Sequence, residues 1–505
     1  MNNHSNRTMR ELLDSQKDNN EIAIMAPDKP SLTYKQIYEY AGDLSAALNQ
    51  FGIGLGDRVA IIMENGPELI LSFLATTMKA TAFPLNPMYK EEEFAFYLED
   101  IEARALITLP EANELALKLA KPGMVIIQAN PQANGSLTFE LIKGELPARP
   151  EQWAGADDVA MLLHTSGTTG RPKRVPLSHA NLIASTSNIV STYELTSQDR
   201  SLCILPLFHI HGIVASALST LASGGTLICP KGFSARRFWD LVHTYKPTWY
   251  TAVPTIHQII LTRVEEHEEI VKNNPFRFVR SCSSSLPPVV LERMEKAYNA
   301  PVLEAYGMSE AAHQMTSNPL PPKSHKSGSV GIGFGVDIGI MDEEGNLLPD
   351  GEIGEVVIRG ANVFNGYDEN QEANEESFTD GWFRTGDQGM KDEEGYLFLT
   401  GRLKELINRG GEKISPFEID DVLLRHPSVV EAVSFGAPSK MYGEEVHAAL
   451  LLKEKVNEDE LKTFCSDYLA RFKVPVKFHL LEEIPRGATG KIQRTKMAEL
   501  LGLTT

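Results

Sequence analysis

Short apolar runs alternating with longer amphipathic ones constrain this chain more than any other feature of its sequence. Residues 57–63, Asp-Arg-Val-Ala-Ile-Ile-Met, follow a turn at Gly54-Leu-Gly56 and read as a strand. Residues 67–78 then place apolar side chains at helical spacing. A helix through Glu91–Asp100 and a strand over 105–109 repeat the pattern. Strands spaced by helices predict β-α-β units and a mostly parallel sheet, an α/β fold. From about Gly331 the texture changes to glycine-punctuated β runs such as 354–360, with turns at 342–345 and 392–395. The last hundred residues carry their own pattern: a helix over 416–426, strands over 429–435 and 446–452, and a helix over 458–472. The expected organisation is therefore a large N-terminal domain over 1–402, with mixed sheets and helices, and a small α+β domain over 403–505.

Charge and cysteine usage exclude whole classes of function. The chain has 505 residues and a net charge of −19, which argues against a generic nucleic-acid binder, since that role needs a basic surface. A local basic pocket for phosphates is still compatible with that balance. The four cysteines (203, 229, 282 and 465) form no C-x-x-C pair, so neither a disulfide scaffold nor a thiolate zinc site is expected. The N-terminus has no apolar signal-peptide core, and no 18-residue apolar run follows. A cytoplasmic protein without stable membrane insertion is expected; the oligomeric state is left open.

The most informative stretch is Thr165-Ser-Gly-Thr-Thr-Gly-Arg-Pro-Lys173, after an apolar run at 159–163. Glycines let backbone N–H groups close around an anion, hydroxyls add donors, and the lysine neutralises phosphate charge. It is not a Walker loop, whose G-x-x-x-x-G-K-[ST] pattern is absent. The stretch resembles the phosphate loop of the adenylate-forming acyl-CoA synthetases. That resemblance continues in chain order through Pro206-Leu-Phe-His-Ile-His-Gly212, Glu304-Ala-Tyr-Gly-Met-Ser-Glu310, Gly381-Trp-Phe-Arg-Thr-Gly-Asp387, Gly401-Arg-Leu-Lys-Glu405, residues 409–416 and Pro485-Arg-Gly-Ala-Thr-Gly-Lys491.

The resemblance implies ATP and coenzyme A as co-substrates, Mg²⁺ as the metal, a small carboxylic acid as partner, and two half-reactions. It implies that Lys491 contacts carboxylate and α-phosphate during adenylation, a role suited to a flexible ammonium. It implies Glu310 as the Mg²⁺ ligand, a hard oxygen donor for a hard cation. Thr165, Ser166, Gly167, Thr168, Thr169, Gly170 and Lys173 would hold the phosphates. Tyr306 would stack on adenine within Tyr306-Gly307-Met308-Ser309, with Ser283, Ser284 and Ser285 packing its other face. Asp387 would accept from the ribose hydroxyls and Arg402 would contact ribose or phosphate. The C-terminal domain would be mobile, hinged at Lys404, and would present Arg409, Gly410 and Gly411 to the pantetheine arm of coenzyme A. Two positions depart from the usual pattern: Arg174 stands where glycine is common, which bears on loop mobility, and Ser309 replaces threonine.

The stretches expected to line the acid pocket are polar: 249–257 supplies His257, 281–285 supplies hydroxyls, and 311–314 places His313 about one turn after Glu310 if helical. A second carboxylate buried unpaired would cost several kcal/mol, so such donors suit a small diacid. Together with residues 317–321 and 406–416, these stretches resemble the oxalyl-CoA synthetases of plants and fungi. In that resemblance His209 gates the carboxylate, and His209, Ser283 and His313 receive its distal end. The alternatives are a medium-chain or 4-coumarate-like acid with His257 and His313 as structure, a carrier protein as acceptor, or a non-catalytic nucleotide sensor.

Overall fold

The computed structural model describes residues 7–503 apart from 111, 113, 148, 166–171 and 487–491. Sheets of seven, nine, five and five strands organise the chain. The seven-stranded sheet runs Leu137–Lys143, Val125–Pro131, Ala105–Thr108, Arg58–Ile62, Thr81–Leu85, Val159–Thr165, Lys173–Ser178. Its inner five strands are parallel and both edges antiparallel. In the nine-stranded sheet a parallel block contains Thr226–Ile228, Arg200–Leu202, Trp249–Ala252, Phe278–Ser281 and Val302–Met308. Antiparallel strands His313–Ser317 and Ile332–Gly333 extend that edge. The mostly parallel α/β reading therefore holds.

One core joins these two sheets. Helix Pro67–Thr77 buries every residue except Glu68, because apolar side chains dominate all of its faces and only the small hydroxyls of Ser72, Thr76 and Thr77 interrupt them. A third sheet (Val336–Met341, Gly354–Gly360, Trp382–Lys391, Phe378–Thr379 and Leu397–Arg402) contributes Ile340, Val356, Ile358 and Phe383 to the same core.

The fourth sheet belongs to the C-terminal region and has its own core around Ile419, Leu423, Val446, Leu450 and Leu461. Helix Pro416–Leu424 precedes a long hairpin, Val429–Ser439 with Gly443–Leu452, and Lys477–Leu480 pairs parallel to its second arm. The last long helix, Glu458–Ser466, stops short of Phe472. Among the described residues no helix is long and apolar enough to cross a membrane.

Candidate active site

The polar segments singled out above lie at the carboxyl ends of parallel strands, three neighbours in the nine-stranded sheet and one in the seven-stranded sheet, where open α/β sheets hold ligands. Ser283 follows Phe278–Ser281, Tyr306–Met308 closes Val302–Met308, His257 follows Trp249–Ala252, and Thr165 ends Val159–Thr165. Thr165 pairs with Lys173 across the mouth of the phosphate loop. Ser166, Gly167, Thr168, Thr169, Gly170 and Lys491 lie outside the described residues.

On the nucleotide side, Lys173 Nζ sits 4.5 Å above the Tyr367 ring. The Tyr367 hydroxyl donates to Glu310 Oε1 at 3.0 Å. Burial and then the Glu310 charge hold that phenol well above its ordinary pKa. Tyr367 thus joins the phosphate-loop lysine to the buried carboxylate expected to face Mg²⁺. A second unit lies beside it: the Tyr306 hydroxyl donates to Asp387 Oδ2, and Arg402 Nε lies 3.0 Å from Oδ1. The antiparallel pairing of Asp387 with Arg402 sets this geometry. Asp387 is buried and its two oxygens are held from both sides.

Arg174, the departure from the usual loop, has a structural role. Its guanidinium reaches Asp368 at 3.1 Å and pairs with Glu369, while its carbonyl accepts from Asp368 N–H at 3.0 Å. It anchors the strand after the loop to the segment bearing Tyr367.

On the acid side, the helical condition under which His313 would lie about one turn after Glu310 is not met. A 3-10 turn, Ser309–Ala311, ends at Ala312 (φ 47°) and His313 (φ 103°), and the chain reverses into strand His313–Ser317. The reversal depends on Gly307, where a Cβ would lie 2.0 Å from the His313 carbonyl oxygen. His313 is thereby buried and stacked on His211, centroids 4.7 Å apart and planes at 24°. His211 Nδ1 is 3.1 Å from Ser283 Oγ and its Nε2 is 2.6 Å from Thr251 Oγ1. Burial, with the Arg280 charge adding to it, holds both imidazoles well below the usual histidine range, so they are neutral. Among the described residues His313 Nε2 is buried with no hydrogen-bond partner. Ser283 is exposed and held at φ 75°. Ser284 and Ser285 are exposed beside it.

The other proposed acid residues sit differently. His257 is fully buried, its Nδ1 3.2 Å from the Tyr250 hydroxyl, and burial pushes its pKa down to about 4. His209 is half-buried with its ring 4.6 Å from Phe208.

In the C-terminal region Arg409 pairs with Glu412, leaving Gly410 (φ 62°) and Gly411 (φ 97°) as a two-residue turn. Two successive positive φ values suit glycine and the twist of a hairpin. The Arg409 guanidinium lies 4.0 Å from the Tyr442 ring centroid. Lys404 is exposed in the short turn Leu403–Glu405 between the third and fourth sheets.

Sequence reasoning passed over Tyr367, His211 and Arg280. His211 lies two residues beyond His209 and opens an eight-residue π-helix, His211–Leu218, a form frequent at functional sites. Arg280 carried a signal, a charge inside an apolar strand. Nothing in the spacing tied Tyr367 to Glu310.

Residues 14–368 match the AMP-binding enzyme family and residues 418–491 the AMP-binding enzyme C-terminal domain. An oxalate–CoA ligase of Saccharomyces cerevisiae is 43% identical, covering 95% of this chain and 94% of its own. One from Arabidopsis thaliana is 44% identical over 94% and 95%. The crystal structure of ATP-bound MatB from Rhodopseudomonas palustris superposes with a TM-score of 0.86 at 30% identity, covering 98% of each chain.

Proposed function

The chain belongs to the AMP-binding enzyme family, and on that premise we propose that it is an ATP-dependent, AMP-forming acid–CoA ligase whose acid is oxalate. One oxalate carboxylate attacks the α-phosphorus of ATP; the bond to pyrophosphate breaks and oxalyl-adenylate forms. The coenzyme A thiol then attacks the activated carbonyl, AMP leaves, and oxalyl-CoA is released.

The observation that carries the choice of acid is the neutral cluster of His211, Ser283 and His313 at the strand ends. Oxalate keeps one carboxylate unreacted, and a buried anion needs hydrogen bonds. His313 Nε2, buried and unpartnered among the described residues, and the Ser283 hydroxyl supply donors where a fatty acyl chain would meet polar groups. His209, half-buried, would gate the approach in this reading, whereas His257 is fully buried against Tyr250. The ligase names of the yeast and plant relatives support it.

Lys173 and the Thr165–Gly170 backbone would neutralise the phosphates, and Tyr306, Asp387 and Arg402 would hold the nucleoside. The buried Glu310 carboxylate, anchored by Tyr367, fits Mg²⁺, which takes one or two carboxylates plus phosphate oxygens and water. Mg²⁺ bound there supplies charge neutralisation at the phosphates. Lys491 would contact the reacting carboxylate and α-phosphate. The unit over 403–505 would then turn about Lys404 and present Arg409-Gly410-Gly411 to the thiol arm. The test is AMP and thioester formation from ATP, coenzyme A and Mg²⁺ with oxalate, octanoate or 4-coumarate. Turnover of oxalate far above both monocarboxylates is expected; preference for either discards oxalate and keeps the ligase.

A further inference from the structure

Arg280 is fully buried in the parallel block, on strand Phe278–Ser281. Guanidinium stays charged in proteins, and a buried charge without a counter-ion costs several kcal/mol. Yet no Asp or Glu is among its hydrogen-bond partners in the described residues. Nε donates to the Tyr193 hydroxyl at 2.7 Å, Nη1 to His211 Nε2 at 3.1 Å and Thr251 Oγ1 at 3.2 Å, and Nη2 to Gln314 Oε1 at 3.4 Å. The Cys282 side chain lies beside it. Most buried charges are paired; this one is surrounded by hydroxyls, an amide, an imidazole and a thiol.

We propose that Arg280 is a positioning residue for the second carboxylate of a dianionic substrate, acting through His211 and Ser283. This rests on the dicarboxylate reading above. The guanidinium can only donate, so His211 Nε2 must carry a lone pair and the ring proton sits on Nδ1. That proton points at Ser283 Oγ, 3.1 Å away. Ser283 accepts it and turns its own hydroxyl proton outward as a donor. The missing counter-ion is then the bound substrate: the distal carboxylate, held by Ser283 and His313 Nε2, brings the negative charge that the buried guanidinium lacks. A monocarboxylic acid leaves Arg280 uncompensated, so the same device disfavours apolar acids.

The test compares wild type with Arg280→Gln and Arg280→Lys. In wild type, the ratio of oxalate to octanoate turnover reports the substrate reading itself; no oxalate preference removes that reading and this inference together. Given oxalate turnover, Arg280→Gln should raise the KM for oxalate about a hundredfold while the KM for ATP stays within about threefold. Arg280→Lys, which keeps the charge without the fork, should recover part of the loss. Equal shifts in both KM values, or an unchanged oxalate KM, overturn the role of Arg280 and leave the ligase standing. Should the Gln variant not fold, ¹⁵N-histidine NMR of wild type decides, with a His211→Asn sample for assignment. A neutral His211 protonated on Nδ1 supports the proposal, and protonation on Nε2 refutes it.

Discussion

Glu304 offers a sharp quantitative test of how this site is built. Its side chain is buried at the carboxyl end of the nine-stranded sheet, Oε1 accepting from Leu286 N–H at 3.1 Å and Oε2 lacking a partner among the described residues. Burial is the main cause that raises its pKa from 4.5 to about 8; backbone N–H groups of Leu286 and Gly328 oppose this and Asp421 adds to it. Asp421 is itself pushed up to about 6, by burial first and by Asp420 second. The native chain therefore holds a proton that the unfolded chain releases. Stability from this group is fully present below pH 4.5 and falls as pH rises toward about 8. At ~1.36 kcal/mol per unit the loss is about 5 kcal/mol across that window. Glu304→Gln keeps the Leu286 acceptor and removes the titration. Urea midpoints of both proteins between about pH 5 and 9 should diverge, the variant gaining relative stability with rising pH. A difference between the two that stays constant with pH would refute the assignment.

Three further outcomes are expected. Tyr367→Phe removes the hydroxyl on Glu310 but keeps the ring under Lys173, so kcat/KM for ATP should fall about ten- to hundredfold in a pyrophosphate-release assay; a change below about twofold rules out that support. Gly307→Ala forces a Cβ to 2.0 Å from the His313 carbonyl. It should lower the melting temperature and oxalate turnover together, and wild-type values for both would show that the reversal tolerates a side chain. Lys491→Ala should cut adenylation about a hundred- to thousandfold while leaving thioester formation from preformed oxalyl-adenylate nearly intact; equal losses would sink the two-arrangement reading.

Local pattern and long-range geometry were unequally legible in the sequence. Strands Arg58–Ile62 and Ala105–Thr108 and helices Pro67–Thr77 and Glu91–Asp100 stood where periodicity put them, because each buries a face set by its own residues. The C-terminal helix shows where period misleads: Leu461, Cys465 and Leu469 keep a four-residue spacing and all enter one core, yet the helix ends at Ser466. Leu469 reaches that core from a turn. Whether His313 stands on a helix is open from the sequence alone, because nothing local announces two successive positive φ values at non-glycine residues. Arg280 was overlooked for a related reason: its partners come from four separate segments that only the folded sheet brings together. Motif order singled out Glu310, Asp387 and Arg402 together with Tyr306, while Tyr367, which holds Glu310, sits in a stretch that no motif marked.

The π-helix at His211–Leu218 makes the length of this stretch as consequential as its residues. A wider turn accommodates an extra residue relative to an α-helix. Deleting one residue downstream of His211 would let the backbone relax to ordinary α geometry with the flanking segments still in phase, so the residues inside the turn would re-aim. His211 would swing away from Ser283 and Thr251 with its side chain unchanged. Any attempt to transplant this acid pocket must therefore carry the whole turn, and alignments that trim one position here erase the pocket while preserving every named residue.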